Sequence, residues 1–258
     1  VSRLRRRRHL CAEEFSYLRA RTDRVAKTTL VSAQQAAAYF DPDKSSGAYP
    51  SIDAYLADVV DILRDEVSEL VRLGCTYVQV DAPQYAGLLD PAIRAGYERR
   101  GSDPDRLLDR CIELDNAVIG SHPGVTFGLH LCRGNNDSKF YASGGYDPIA
   151  ARVFRGTRFQ RFLLEYDDER SGGFEPLGAM PDDRTVVLGL VTTKKPELES
   201  SESLIRRIRA ASRFVPLERL ALSAQCGFAS TMQGNRLSEA DQQAKLRRIA
   251  EVARQVWA

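Results

Sequence analysis

Near the middle of the chain His130 and Cys132 stand two residues apart at the end of an apolar run, Thr126–Leu131. Side chains on a strand alternate between faces with a period of two, so an imidazole and a thiol at this spacing point the same way. A His-x-Cys pair on one face is a two-ligand metal clip. Alone it is equally the pattern of a histidine satisfied by a backbone carbonyl. Glu165 and Cys226 follow two further apolar runs, Arg161–Leu164 and Leu220–Ser223. An imidazole, two thiols and a carboxylate make a donor set suited to zinc. The groups come from separate strands and no CxxC knuckle is present, which excludes a zinc finger. Charge then supplies the chemistry. A zinc ion beside a substrate thiol stabilises the thiolate, which is the nucleophilic form, and so prepares it for alkyl transfer. Of the four ligands, Glu165 is displaced by an incoming sulfur more easily than a thiolate is.

The elements that must position these groups alternate in type. Strands are expected at Val25–Val31, Tyr77–Val80, Thr126–Leu131, Arg161–Leu164, Thr185–Leu190 and Leu220–Ser223. Amphipathic helices are expected from Ser51 to Leu73, Asp103 to Ile119, Ser201 to Phe214 and Ser238 to Trp257. The stretches Asp41–Pro50, Ser143–Tyr146 and Ser171–Pro181 read as loops. Alternating strands and helices imply right-handed βαβ units and a parallel sheet, in one domain over residues 1–258. Strand after strand runs into a polar or metal-capable residue: Asp81, His130 with Cys132, Glu165, Cys226. A (β/α)8 barrel carries its functional groups at those carboxyl ends. No glycine-rich phosphate loop follows a strand.

Composition narrows the class. The chain has 258 residues, 43% hydrophobic and 28% charged, with a net charge of +2. That balance calls for neither a nucleic-acid nor a membrane partner, and no window approaches the ~18 consecutive apolar residues of a membrane span. Five cysteines (Cys11, Cys75, Cys111, Cys132 and Cys226) in a chain of this length suggest a reducing, cytoplasmic setting rather than a disulfide framework. Cys11, Cys75 and Cys111 read as small structural thiols. The run Arg5-Arg6-Arg7-Arg8 is either a targeting or phosphate-binding patch or a solvated connection. Self-association into a homo-oligomer is left open.

Four stretches together resemble the catalytic domain of cobalamin-independent methionine synthases. They are Val78-Gln79-Val80-Asp81-Ala82-Pro83, Gly128-Leu129-His130-Leu131-Cys132, Phe162-Leu163-Leu164-Glu165 and Ser223-Ala224-Gln225-Cys226-Gly227. They occur in the family's order and cover the chain from about Lys27 onward. The resemblance implies a zinc-bearing TIM barrel of the methionine synthase and uroporphyrinogen decarboxylase type, and methyl transfer from a methyltetrahydrofolate-type donor to homocysteine in methionine biosynthesis. It implies zinc ligation by His130, Cys132, Glu165 and Cys226, with Asp81 holding the amino group of the thiol substrate. Asp81 and Glu165 are thus the candidate catalytic residues. The partners implied are small molecules, a thiol and an alkyl donor.

The sequence departs from the family's pattern in three respects. The family's first two strands have no counterpart, so a barrel shortened at its amino end is expected, with an open edge to be covered. The amino-terminal half of the long enzymes is absent, as in the short single-barrel relatives. The Asp-x-His segment of the long enzymes is replaced by Thr192-Thr193-Lys194-Lys195, which removes the family's proposed acid histidine. Short relatives also include zinc enzymes that open epoxides with a thiol such as coenzyme M. That reading, and one in which the chain is an inactive barrel remnant, stand as alternatives.

Other residues carry less specific expectations. Arg133 and Asn135 are candidates to bind a substrate carboxylate or sulfonate, or else to structure their loop. Tyr166, Asp167, Asp168 and Glu169 follow Glu165, and one of them is expected to orient a ligand. Lys194 and Lys195 are candidates to meet an anionic donor. His122 and His9 carry no evident chemistry.

Overall fold

The computed structural model describes residues 2–258. Six strands form one parallel sheet in sequential order: β1 (Lys27–Val31), β2 (Tyr77–Asp81), β3 (Thr126–Leu131), β4 (Arg161–Glu165), β5 (Thr185–Val191) and β6 (Leu220–Ala224). Helices connect them: α1 (Ala12–Arg19), α2 (Pro42–Ser45), α3 (Ile52–Arg72), α4 (Ala86–Leu89), α5 (Pro91–Arg99), α6 (Pro104–Ile119), α7 (Ala150–Gly156), α8 (Ser201–Ala211) and α9 (Glu239–Trp257). Every neighbour in the sheet is the next strand in sequence, which is how a TIM-barrel wall is laid down. Among the described residues β1 and β6 are its two edges. All six expected strands are present, with ends shifted by a residue or two.

Local chemistry explains the main helices. In α3, Leu56, Val60, Leu63, Val67 and Leu70 bury one face. The Ser51 hydroxyl caps its start by accepting from the Ala54 amide at 3.2 Å. The Ser238–Asp241 capping box begins α9. Three helices open on Asp-Pro: Asp41 before α2, Asp90 before α5 and Asp103 before α6. In each, the aspartate accepts from first-turn amides, while proline fills a position that needs no N–H. That signal places α2 inside the stretch expected to be a loop, and also accounts for α5, which the periodicity does not show.

The central strands β2 to β5 are buried on both faces, and one hydrophobic cluster runs from Phe15 to Val252. The edge strand β1 alternates: Thr28 and Leu30 are buried, while Lys27, Thr29 and Val31 are exposed.

The arginine run is neither wholly solvated nor free. Arg3 pairs with Asp58 at 2.7 Å, and Arg6 approaches Asp65 at 3.6 Å. His9 Nδ1 lies 3.0 Å from the fully buried Glu66, whose other oxygen accepts the Cys11 amide at 2.7 Å. The segment is strapped along the acidic side of α3, so His9 has a structural role. Arg5, Arg7 and Arg8 remain exposed. No helix among the described residues is long and apolar enough to cross a membrane.

Candidate metal centre

Strand register builds the centre. Val31 pairs with Asp81, Asp81 with His130 and His130 with Leu163; two residues further up, Glu165 pairs with Gly189 and Gly189 with Ser223. Period-two alternation therefore puts Asp81, His130, Cys132 and Glu165 on one face at the carboxyl ends. Gly189 lets the neighbouring strands come close. A Cβ there would stand 2.8 Å from Gln225 Cα and 2.9 Å from the Leu164 carbonyl oxygen.

The ligand atoms of His130, Cys132 and Cys226 all lie within 4.8 Å of one another. His130 Nε2 is buried without a hydrogen-bond partner and is 3.8 Å from Asp81 Oδ1, which is likewise unpartnered. Two thiols, an orphaned imidazole nitrogen and a nearby carboxylate form a donor set that fits zinc.

The protonation pattern of the cluster agrees. The Cys132 thiol, helped by His130, holds Cys226 far below the ordinary thiol range despite its burial. The Cys132 pKa is pushed up by the neighbouring Cys226 sulfur and by burial. Burial opposes a charged His130, but the Cys226 thiolate and then Asp81 outweigh it, so its pKa is raised. A divalent cation bound here would displace the protons that the cluster holds. Burial raises the pKa of Asp81, against the pull of His130.

Glu165 stands outside this cluster of three. It is fully buried, and its Oε2 accepts from the Arg133 amide at 2.8 Å and from Gln225 Nε2 at 3.2 Å. Its Oε1 is paired with Arg170 and lies 3.7 Å from Lys194 Nζ. The expected fourth ligand is therefore held by basic side chains next to the cluster. Asp167, also buried, contacts the same two cations, at 2.8 and 4.0 Å.

For Arg133 and Asn135 the contacts favour the loop-structuring alternative. One residue beyond Cys132, Arg133 falls on the opposite face of the strand path. Its guanidinium is fully buried over the Tyr146 ring at 4.1 Å and donates to the carbonyls of Gly144, Glu165 and Ser171. Asn135 Nδ2 donates to Gly227 O, Ser230 Oγ and Thr193 Oγ1, while its Oδ1 accepts from Asn235. Its amide ties together the loops after β3, β5 and β6. Lys194 is buried beside Glu165 rather than offered to a donor, and Lys195 is exposed. Of the four residues after Glu165, Asp167 and Asp168 join its partners: both pair with Arg170, and Asp167 also lies 4.0 Å from Lys194.

Sequence reasoning missed Gln225, Arg170, Ser230 and Tyr141. Gln225 was findable as the polar neighbour of Cys226. Ser230 Oγ is 3.4 Å from Cys226 Sγ, one turn of loop away. Tyr141 has no signal beyond an aromatic in a polar loop. Its hydroxyl donates to the Pro83 carbonyl, and its pKa is raised by burial and then by the adjacent Cys132.

Of two cavities, one borders the cluster and the other is lined by none of its residues. One of about 510 Å³ lies inside the curve of the sheet and is lined by Lys27, Gln79, Asp81, His130 and Cys226. Lys27 Nζ donates to Gln79 at 2.6 Å, and burial lowers its pKa. The other, of about 920 Å³, opens beyond Tyr141 and is lined by Gln34, Gln84, Tyr97, Arg106 and Arg110.

Residues 50–255 match the family described as cobalamin-independent synthase, catalytic domain. A Bacillus subtilis (strain 168) protein called uncharacterized protein YxjH is 38% identical over 221 residues, 85% of this chain and 59% of its own length. The methionine synthase of Thermococcus kodakarensis is 26% identical over 88% of this chain and 58% of its own length. The chain thus spans about three-fifths of these relatives. A crystal structure from Listeria monocytogenes, described provisionally as a vitamin-B12 independent methionine synthase, superposes with a TM-score of 0.71 at 25% identity. That alignment covers 100% of this chain and 71% of the other.

Proposed function

Because the chain belongs to the cobalamin-independent synthase catalytic-domain family, we propose that it binds one zinc ion and methylates the sulfur of homocysteine with a methyltetrahydrofolate-type donor. The observation that carries this reading is the convergence of His130, Cys132 and Cys226 within 4.8 Å at the carboxyl ends of two strands, with His130 Nε2 unpartnered. These three would hold the ion, with Glu165 as the fourth ligand. Zinc there would supply the positive charge that makes a neighbouring thiol ionise near neutral pH.

The chain's own residues do the rest. Asp81 Oδ1, unpartnered 3.8 Å from His130, receives the ammonium group of the amino-acid thiol. The 510 Å³ cavity that borders His130 and Cys226 takes the amino acid. The homocysteine sulfur attacks the donor's methyl carbon. The new S–C bond forms as the donor C–N bond breaks, and the electron pair left on nitrogen takes a proton from water.

The test is product analysis. The zinc-loaded chain given homocysteine and methyltetrahydropteroyl-glutamate is expected to make methionine, and Cys226→Ser to make none. A thioether formed only from an epoxide and coenzyme M would replace this reading with the epoxide-opening one.

A further inference from the structure

The two sulfurs of the metal cluster differ in what they face. Cys226 lines the 510 Å³ cavity beside Asp81 and His130, whereas Cys132, 4% exposed, does not. A thiolate on the wall of a cavity that admits an alkylating molecule is itself a nucleophile. A carbon meant for the substrate sulfur can therefore be taken by the protein. Ser230 lines the same cavity, with its Oγ 3.4 Å from Cys226 Sγ. A second neighbour decides what that hydroxyl does. Asn135, 7% exposed, brings Nδ2 to 2.9 Å from Ser230 Oγ. Chemistry fixes which way the amide points. The Gly227 carbonyl, 2.8 Å from Nδ2, can only accept. On the other side Asn135 Oδ1 accepts from Asn235 Nδ2 at 3.0 Å, and that group is fixed in turn by the Thr193 carbonyl at 2.7 Å. Asn135 Nδ2 thus donates to Ser230 Oγ and leaves the hydroxyl proton to point at the sulfur. With a metal ion in place of the thiol proton, Cys226 Sγ can only accept.

We propose that Ser230, oriented by Asn135, is a positioning residue that donates its hydroxyl to the metal-bound sulfur of Cys226 and keeps that thiolate from being alkylated in place of the substrate. The inference rests on the zinc reading above. A hydrogen bond to a ligand sulfur draws lone-pair density away from the direction of attack and tunes the metal through its ligand. The reaction it suppresses is a substitution. A bond forms between Cys226 Sγ and the donor carbon, the bond from that carbon to its leaving group breaks, and the electron pair departs with the leaving group. Cys132 needs no such guard, because it stands off the cavity.

Iodomethane and cobalt(II) are the probes. Zinc-loaded wild type, Ser230→Ala, Ser230→Thr and Asn135→Asp are treated with iodomethane, which methylates a thiolate sulfur and releases iodide. S-methylation is followed at each cysteine by peptide mass spectrometry. Ser230→Ala is expected to raise the rate at Cys226 about tenfold and leave Cys132 unchanged. Ser230→Thr keeps the hydroxyl and should restore the wild-type rate. Asn135→Asp puts an acceptor where the amide donated, so it draws the Ser230 proton off the sulfur and should behave as Ser230→Ala does. Cobalt(II) in place of zinc separates a lost hydrogen bond from a loosened loop. Without the hydrogen bond the sulfur electrons lie higher in energy, so the sulfur-to-cobalt charge-transfer band moves to longer wavelength. A loosened loop weakens the band without that shift. Unchanged methylation of Cys226 in Ser230→Ala, or faster methylation with an unshifted band, overturns the proposal. Wild-type behaviour in Asn135→Asp overturns the part given to Asn135. Ser230→Gly, judged by the same criteria, replaces Ser230→Ala if that variant fails to fold. If wild type binds no zinc through Cys226, the reading beneath the proposal falls with it. Zinc bound at Cys226 with no effect of Ser230 overturns the proposal alone.

Discussion

Asp115 shows how much a single buried group can weigh. Fully enclosed, it accepts from Ser32 Oγ at 2.5 Å and from Tyr85 OH at 2.9 Å. Burial pushes its pKa up to about 7, against those two hydrogen bonds. Its unfolded value is near 3.8. Above pH 7 both states are ionised and the folded one carries the cost of burying the charge. Below pH 7 the native state takes up a proton that the unfolded chain lacks until about pH 4, so this group stabilises the fold as pH falls through that window. Urea midpoints at pH 8 and pH 5.5 should therefore show wild type gaining on Asp115→Asn at the lower pH; parallel changes would contradict it. The shared face of the candidate ligands was legible at this scale where period two applied. His130 and Cys132 share a face, and so do Asp81 and the strand-end Glu165. The same rule, applied one residue on, would have turned Arg133 away from the substrate. The partners of Glu165 were not legible, because Arg170 and Lys194 reach it from different loops, and nothing in local spacing encodes which carboxylate a buried cation meets.

Elements bring the three metal-capable side chains together by register, and the tightest constraint lies at Gly189. A methyl group there would press on the backbone of Leu164 and of Gln225, the residue before Cys226. Neither is a flexible side-chain end, so a strand must move. Gly189→Ala is expected to cost about 1–3 kcal/mol in urea unfolding and to weaken zinc binding in chelator competition. Gly47→Ala, with nothing within 4 Å of the added carbon, is the control and should change neither. An unchanged zinc affinity in Gly189→Ala would mean that the close approach of β5 and β6 does not set the position of Cys226. The six strands and the long helices were readable because apolar periodicity and caps repeat over many residues. The helices α2 and α5 were not read from periodicity, although Asp41-Pro42 and Asp90-Pro91 carry the same opening signature as Asp103-Pro104.

At the scale of the whole molecule, parallel strands in sequential order carry the expected α/β architecture, and the family match over residues 50–255 agrees with it. The amino-terminal strap onto α3 and the Asn135 hub joining three loops were beyond sequence reading, since both depend on segments far apart in the chain meeting in space. The metal centre draws on that assembly as a whole: β3 delivers His130 and Cys132, and the segment after β6 delivers Cys226. Zinc is therefore expected to bind the folded chain only, and to stabilise it in proportion to its occupancy. The most direct measurement is the zinc content per chain after reconstitution and removal of excess metal, for wild type and for Cys226→Ser. The account predicts about one zinc per wild-type chain and a large loss in the variant. Wild-type protein without stoichiometric zinc, or a variant that retains it fully, would contradict the account.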